Sequence, residues 1–187
     1  MFYKMRYNIV FVGSVGAGKT SIIRRYLHKS TVTTSTLAVD FVAIEIDSIQ
    51  MSIWDTCGQE RFEAITSSYF ARGHVFVLVH DIQETSIDQL QKWLTQIQDK
   101  TPQRHEPVVV VVSNKTDLHP FASTTITSWV KEHMFDHIYT SAVSGEGIKN
   151  LFSKIKDGVV VHQADWSSPS LPALPVQQAV KSPGCSC

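Results

Sequence analysis

The sequence contains Gly13-Ser14-Val15-Gly16-Ala17-Gly18-Lys19-Thr20, which matches the pattern G-x-x-x-x-G-K-[ST]. The apolar residues 9–12 precede this loop and read as a buried strand, and the helical pattern of residues 19–28 follows it. Glycines allow backbone N–H groups to turn inward around phosphate oxygens, and the positive end of the following helix faces the same anion. Because a chance match in this context is rare, we interpret the segment as a phosphate-binding loop and not as an ordinary glycine-rich turn.

Two residues of this loop carry the chemistry of a bound nucleoside triphosphate. We expect Lys19 to reach the β- and γ-phosphates and the hydroxyl of Thr20 to ligate Mg²⁺. The loop pattern by itself does not distinguish ATP from GTP, so the base must be identified from another part of the chain.

A second motif, Asn114-Lys115-Thr116-Asp117, indicates the base. It follows five consecutive valines, residues 108–112, which places it in a loop at the carboxyl edge of the predicted sheet. A carboxylate there can accept hydrogen bonds from N1–H and the 2-amino group of guanine, a pair of donors that adenine lacks. In isolation N-K-x-D is more often an ordinary polar turn, but behind a phosphate loop it favours guanine. Ser141 and Ala142 follow the last predicted strand and could supply a backbone N–H to guanine O6.

A third segment, Trp54-Asp55-Thr56-Cys57-Gly58-Gln59-Glu60, also follows a predicted strand. Asp55 is placed to hold Mg²⁺ through a water molecule, and the N–H of Gly58 can contact the γ-phosphate. Gln59 can orient the attacking water, so we expect Lys19 and Gln59 to be the catalytic residues. We interpret Cys57 as a small side chain packed beside the nucleotide, with a redox role as the alternative.

Apolar, β-rich runs alternate with helical patterns along the chain. The strand candidates are residues 7–12, 41–46, 51–54, 75–79, 108–112 and 137–139, and the helix candidates are residues 19–28, 87–98, 125–133 and 148–156. This alternation predicts an α/β fold of the P-loop NTPase class: a six-stranded, mostly parallel sheet with about five helices distributed over both faces. The short link between the second and third strands favours an antiparallel hairpin at the sheet edge.

Length and composition limit the remaining classes. A chain of 187 residues allows one domain with a short tail, and a formal net charge of zero gives no reason to expect a nucleic-acid partner. Three cysteines, two of them near the end, form no disulfide framework and suit a reducing compartment. No apolar run reaches the roughly 18 residues that a transmembrane helix needs. We expect a domain over residues 1–158 and a flexible tail over residues 159–187, which contain many prolines and serines and few charges.

Together these motifs resemble the Ras superfamily of small GTPases over residues 6–156, and Trp-Asp-Thr-Cys-Gly-Gln-Glu-Arg-Phe at residues 54–62 resembles the Rab family. Residues 35–41 and 65–69 are similar to the two Rab switch segments. The resemblance implies a G domain in which Thr36 binds Mg²⁺ and the γ-phosphate. It also implies an exposed aromatic triad that meets effectors, for which core packing is the alternative: Phe41, Trp54 and Tyr69.

The resemblance implies a complete set of nucleotide contacts. The implied residues are Gly13, Ser14, Val15, Gly16, Ala17, Gly18, Lys19, Thr20, Ser21, Thr36, Asp55, Gly58, Asn114, Lys115, Asp117, Leu118, Ser141, Ala142 and Val143. Of these, Thr20, Thr36 and Asp55 would be the Mg²⁺ ligands, and GTP or GDP would be the bound nucleotide.

The sequence closes with Cys185-Ser186-Cys187, which resembles the doubly geranylgeranylated terminus of Rab proteins. A C-a-a-X box would need cysteine where Gly184 stands, so that signal is missing. Two lipid chains are enough for stable anchoring, whereas one would be marginal. The alternative is a pair of exposed thiols without a role.

The sequence departs from the family pattern in four ways. Val15 stands where a serine or glycine is usual, and its β-branched side chain would project toward the γ-phosphate and slow hydrolysis. The segment from Lys19 to Thr36 is short and lacks the aromatic residue that stacks on guanine; Thr31 lies near that position, and His28 could substitute. Val143 replaces a usual lysine. We expect weaker nucleotide retention as a consequence.

The resemblance implies a Rab-like GTP/GDP switch that hydrolyses GTP, regulates vesicle traffic and acts as a monomer. Its partners would be an exchange factor, a GTPase-activating protein, effectors and a prenyl-chain chaperone, on the cytoplasmic face of intracellular membranes in exchange with the cytosol. One alternative is a GTP-dependent binding scaffold with little turnover, motivated by Val15; an ATP-dependent phosphotransferase is opposed by residues 114–117. His133 and His137 lie four apart but lack the glutamate of a zinc motif, so we interpret them as surface histidines.

Overall fold

The computed structural model describes residues 5–30, 40–56, 69–101, 106–119, 121 and 123–166. Its strands are β1 (Arg6–Val12), β2 (Asp40–Ile46), β3 (Ile49–Asp55), β4 (Val75–Asp81), β5 (Val108–Asn114) and β6 (Asp136–Thr140). Its helices are α1 (Lys19–Tyr26), α2 (Asp88–Lys100), α3 (Thr124–Glu132) and α4 (Ile148–Trp166). All six predicted strands and the four bounded helix candidates are therefore confirmed, each with small shifts at its ends except α4, which is much longer than predicted.

The strands form one sheet in the order β2-β3-β1-β4-β5-β6. Every neighbouring pair is parallel except β2 and β3, which form the predicted antiparallel hairpin at the edge. The hairpin turns at Asp47 and Ser48, both with positive φ, as a tight two-residue turn requires. The strand order reverses at β1, so the loop after β1 opens into the crevice where sheets of this kind bind ligands.

Helices cover the sheet on both faces, because its central strands are apolar along both sides. On one face, Ile22 of α1 and Phe152 of α4 pack against Phe11 and Val112. On the other face, side chains of α2 and α3 pack against Val10 and Val111. The predicted α/β architecture is confirmed. In the parts of the chain described here, no helix combines the length and the apolar character needed to cross a bilayer.

The carboxyl-terminal helix is longer than the sequence indicated. We placed the start of the flexible tail at residue 159, but α4 continues to Trp166, so the prediction is wrong for residues 159–166. Val159 is fully buried, and the Trp166 ring packs 5.9 Å from the ring of Tyr7 and 5.0 Å from that of His74. The helix continues through Gly158, where a Cβ would lie 3.0 Å from Cγ1 of Val108, so glycine at this position lets α4 lie close to β5. Residues 167–187, with the predicted lipid sites Cys185 and Cys187, lie outside the described residues.

Replacing Trp166 with alanine tests whether this last turn belongs to the folded domain. We expect Trp166→Ala to lower the free energy of unfolding by about 3 kcal/mol, since it removes a large buried ring and leaves a cavity. Urea denaturation of the purified protein measures the change. Gln163→Ala, an exposed position on the same helix, should change stability by no more than about 0.5 kcal/mol. Equal effects of the two variants would contradict the packing described here.

Candidate nucleotide site

The glycine-rich loop is shaped by close contact with neighbouring strands. Gly13 has a φ of 142°, and a Cβ there would overlap the carbonyl oxygen of Val79 in β4. Gly18 has a φ of 95°, and a Cβ there would overlap the side-chain amide of Asn114. Both positions therefore require glycine, for space as well as for backbone conformation. The loop lies pressed against the carboxyl ends of β4 and β5.

The ammonium group of Lys19 is held over this loop. Lys19 begins α1 and is buried, and its Nζ donates hydrogen bonds to the carbonyl oxygens of Gly13 (2.7 Å) and Ser14 (2.9 Å). A positive charge therefore lies beside the backbone of the loop and the amino-terminal end of a helix. Both features favour a bound anion, so the arrangement fits a phosphate group.

Thr20 and Asp55, two of the predicted Mg²⁺ ligands, lie in contact. The Thr20 hydroxyl donates to Oδ2 of Asp55 at 2.5 Å. Asp55 ends β3 and is only 5% exposed, and within the described residues its Oδ1 is buried without a hydrogen-bond partner. A buried carboxylate oxygen without a partner is costly, and a hard divalent cation takes oxygen ligands of this kind. The donor set therefore fits Mg²⁺.

The pKa of Asp55 points the same way. Burial raises the pKa of Asp55 above its ordinary value, and the Thr20 hydrogen bond and the charge of Lys19 oppose that shift only in part. The carboxylate is thus undercompensated by the surrounding protein groups. A bound cation would supply the missing positive charge and lower that pKa.

The predicted guanine-binding loop is joined to the phosphate loop through Asn114. The buried Asn114 amide donates to the carbonyl oxygen of Ala17 at 2.8 Å and accepts from the Thr140 hydroxyl at 3.0 Å. The next residue, Lys115, has a positive φ of 70° and forms a 2.7 Å ion pair with Asp81 at the end of β4. Burial alone would raise the pKa of Asp81, but the hydrogen bond and charge of Lys115 hold it below its ordinary value.

The residues predicted to read the base lie together at this edge of the sheet. The buried Ser141 hydroxyl donates to Oδ1 of Asp117 at 2.5 Å, which orients an exposed carboxylate. Leu118 and Val143 have 57% and 70% of their surface exposed, so two apolar side chains lie in solvent close in sequence to Asp117 and Ser141. Exposed apolar side chains of this kind would suit contact with a planar base.

Arg25 is a further positioning residue that the sequence did not reveal. Its guanidinium donates to the carbonyl oxygen of Ser144 at 2.7 Å, which ties α1 to the loop after β6. Asp81 and Thr140 were also missed. The signal that could have found Asp81 is its place directly after a buried strand, at the same edge as the other motifs.

Several predicted residues lie outside the described part of the chain: Thr31, Thr36, Cys57, Gly58 and Gln59. Val15 is described and is 54% exposed in the turn of the loop. His28 was a candidate to stack on the base, but it lines a cavity with Ile46, Asp47 and Phe152, between α1, the β2–β3 turn and α4. None of the residues lining that cavity belongs to the guanine loop, so the structure argues against this role for His28.

The two histidines predicted as surface residues, His133 and His137, lie at the end of α3 and in β6. Over the described residues, no group of three His, Cys, Asp or Glu side chains is placed to hold a metal ion. Both rings are half-buried and hydrogen-bonded. His133 Nδ1 lies 2.9 Å from the carbonyl oxygen of Trp129, and His137 Nε2 lies 2.7 Å from the hydroxyl of Ser113.

Comparison with known protein families agrees with this geometry. A site with a phosphate loop, a carboxylate suited to Mg²⁺ and an N-K-x-D loop is that of a guanine-nucleotide-binding protein. Residues 8–160 match the model of the Ras family, and the chain belongs to that family. It is accordingly a small GTPase, a molecular switch that binds guanine nucleotides, hydrolyses GTP and works with exchange factors, activating proteins and effectors.

Substitution of Asp117 tests the assignment of the base-reading residue. We expect Asp117→Asn to weaken GDP binding by about 100-fold or more, because an amide cannot accept both hydrogen bonds from guanine. The same variant should gain affinity for xanthosine diphosphate, whose 2-carbonyl oxygen accepts a bond from the amide. Isothermal titration calorimetry measures both. Asp99→Asn, which changes an exposed carboxylate of α2, should bind GDP like the wild type; unchanged nucleotide preference in Asp117→Asn would contradict the assignment.

Proposed function

We propose that this protein is a Rab-type switch that regulates vesicle traffic. The observation that carries the proposal is an aromatic patch formed by Phe41, Trp54 and Tyr69, next to the segments predicted as switches. The patch matches the triad through which the Rab resemblance implies contact with effectors. The proposal goes beyond family membership, which establishes the GTPase class alone.

The three aromatic side chains of the patch lie next to one another. Phe41 and Trp54 are register partners on β2 and β3, with ring centroids 4.8 Å apart. The ring centroids of Trp54 and Tyr69 are 4.5 Å apart, and all three residues are half-buried. Trp54 Nε1 donates to the Asn8 side chain at 3.2 Å, which fixes the indole in the middle of the patch. Clustered aromatic side chains of this kind are typical of interaction sites.

The position of the patch in the chain suits coupling to the nucleotide. Asp40 and Asp55 are register partners at one end of the hairpin. Asp40 belongs to the first predicted switch segment, residues 35–41, and the second, residues 65–69, follows β3 in the chain. We propose that the γ-phosphate orders Thr36 and the Gly58–Gln59 region, and that hydrolysis releases them. The aromatic patch would then present a different surface in each nucleotide state.

The proposed reaction is in-line attack of water on the γ-phosphate. Lys19 would neutralise developing charge on the phosphate oxygens, and Gln59 would orient the attacking water. Thr20 and Asp55 would hold Mg²⁺, which shields the charge of the phosphate oxygens when bound. Val15 would lie beside these groups, and its branched side chain would hinder the approach of Gln59 and of an activating protein's arginine.

We further propose that Cys185 and Cys187 carry two geranylgeranyl chains. Such a protein would act on the cytoplasmic face of intracellular membranes and exchange with the cytosol through a prenyl-chain chaperone. The formal net charge of zero and the single basic residue close to the cysteines, Lys181, leave the lipids to supply most of the membrane affinity.

Substitution in the aromatic patch tests the proposal. Full-length protein loaded with a non-hydrolysable GTP analogue or with GDP is used as bait, and the bound proteins are quantified by mass spectrometry. We expect vesicle-tethering or transport proteins on the GTP-analogue bait alone, and about a tenfold loss in Trp54→Ala with nucleotide binding unchanged. Tyr139→Ala, an exposed aromatic on β6, is the matched control. Retention of the same proteins by Trp54→Ala would refute the role of the patch.

Substitution of Val15 separates a turning-over switch from the alternative of a scaffold with little turnover. We expect Val15→Gly to hydrolyse GTP about tenfold faster than the wild type in a single turnover, because the space for Gln59 and water is restored. Val15→Thr, which keeps the branched shape, should stay slow. Equal rates in the wild type and Val15→Gly would show that the valine does not limit hydrolysis.

A further inference from the structure

A chain of hydrogen bonds crosses three strands directly beneath the guanine loop. The ring of His80 in β4 is buried, and its Nε2 lies 2.7 Å from the hydroxyl of Ser113 in β5. The same hydroxyl lies 2.7 Å from Nε2 of His137 in β6. At the other end, Nδ1 of His80 lies 2.9 Å from the carbonyl oxygen of Asp81. Two imidazoles and one hydroxyl are thus linked across β4, β5 and β6.

The chain of hydrogen bonds has a single proton arrangement when both imidazole rings are neutral. A carbonyl oxygen accepts only, so Nδ1 of His80 carries the hydrogen and its Nε2 is the acceptor. The Ser113 hydroxyl must then donate to His80, and it accepts from Nε2–H of His137. All three links are satisfied by this one arrangement, which is assigned from the identities of the partners.

Each of the three side chains lies next to, or on the same strand as, a residue that supports the nucleotide site. His80 precedes Asp81, whose carboxylate holds Lys115. Ser113 precedes Asn114, whose amide holds the phosphate loop through Ala17. His137 lies on the strand that ends at Thr140, the donor to Asn114. The three side chains therefore join the ends of the strands from which the guanine loop is supported.

We propose that His80, Ser113 and His137 are positioning residues for the guanine loop, and that protonation of the chain speeds nucleotide release. The inference rests on guanine-nucleotide binding at the site described above. It concerns residues that contact neither the phosphate loop nor the base-reading carboxylate. The chain acts by holding the ends of β4, β5 and β6 in register, so that Asn114 and Lys115 meet their partners.

The surroundings of the hydrogen-bond chain keep the rings of His80 and His137 neutral near pH 7. The buried side chains of α2 and α3 that cover this face are apolar: Leu90, Trp93, Leu94, Ile97, Ile126, Trp129 and Val130. Burial lowers the pKa of His80 from 6.5 to about 4. The hydrogen bond to the Asp81 carbonyl and the Asp81 charge raise that pKa, and the nearby His137 lowers it further. Burial also lowers the pKa of His137, whose ring lies 4.6 Å from that of Tyr139. His133, directly after α3, is hydrogen-bonded to the carbonyl oxygen of Trp129 and stacks on Phe135.

The direction of the pH effect follows from these lowered values. Because the folded pKa of His80 lies below its ordinary value of 6.5, the unfolded or opened state binds protons more readily. The stabilising effect of the chain is complete above pH 6.5 and is lost as the pH falls toward about 4. Once His80 is protonated at Nε2, the Ser113 hydroxyl can no longer donate to it. The Ser113 oxygen can accept from both N–H groups, but its own buried O–H then loses its acceptor, which destabilises this arrangement.

The proposal is tested by measuring the release of a fluorescent GDP analogue from the full-length protein. The release rate is measured at constant Mg²⁺ from about pH 5 to about pH 8. We expect the wild-type release rate to rise about tenfold or more across the acidic half of this range. Ser113→Ala should release nucleotide about tenfold faster at neutral pH and should show a flatter pH profile. Ser113→Thr, which keeps the hydroxyl, should restore the slow release.

Three further comparisons keep the test decisive. His133→Gln changes a half-buried histidine outside the chain and should follow the wild-type profile, including any contribution from the nucleotide's own phosphate. His137→Gln can still donate to Ser113 but does not titrate, so it should stay slow at neutral pH and lose part of the acid response. Urea unfolding at neutral pH identifies any variant that is merely destabilised.

Parallel pH profiles in the wild type, Ser113→Ala and His137→Gln would overturn the proposal, even if Ser113→Ala is less stable. A wild type that holds no guanine nucleotide at neutral pH would be a different failure. That result would overturn nucleotide binding at the site itself, and with it this inference. The two failures are distinguished before any variant is compared.

Discussion

The side-chain amide of Asn114 joins the two halves of the nucleotide site, and its geometry governs everything placed around it. It donates to the phosphate loop through the Ala17 carbonyl and accepts from the hydroxyl of Thr140. Both bonds are buried, where a broken hydrogen bond leaves a polar group without water. The phosphate loop and the guanine loop are therefore held at a fixed separation. A ligand must present its phosphates and its purine at matching distances, which a nucleotide does.

Two glycines of the phosphate loop are required by this close packing. A side chain at position 18 would occupy the space of the Asn114 amide, and one at position 13 would occupy that of the Val79 carbonyl. These glycines are required by close neighbours on β4 and β5 as much as by their backbone conformation. In the sequence the pattern predicts one local loop. In the structure that loop contacts β4 and β5, two segments that are far from it in the chain.

Local patterns were sufficient to predict the fold and the motifs, because the strands are apolar runs and each motif follows a strand. They could not show which side chains meet across the sheet. Ser113 is 33 residues from His80 and 24 from His137, and only the pairing of β4 with β5 and of β5 with β6 brings them together. The end of α4 was missed for a related reason. The partner of Trp166 is Tyr7, at the other end of the domain.

Two kinds of buried polar group meet at this edge of the sheet, and they differ in whether the described protein groups satisfy them. Oδ1 of Asp55 has no such partner, so its burial is costly until a cation is bound. The atoms that link His80, Ser113 and His137 satisfy one another, so no ligand is needed to complete that chain. Groups left unsatisfied define where the ligand binds, and groups satisfied among themselves hold the loops that bind it. An apolar set of the same shape could support the sheet equally well, so stability alone does not account for two imidazoles in this layer. What the imidazoles add is a response to pH, at the place where the strand ends support the nucleotide.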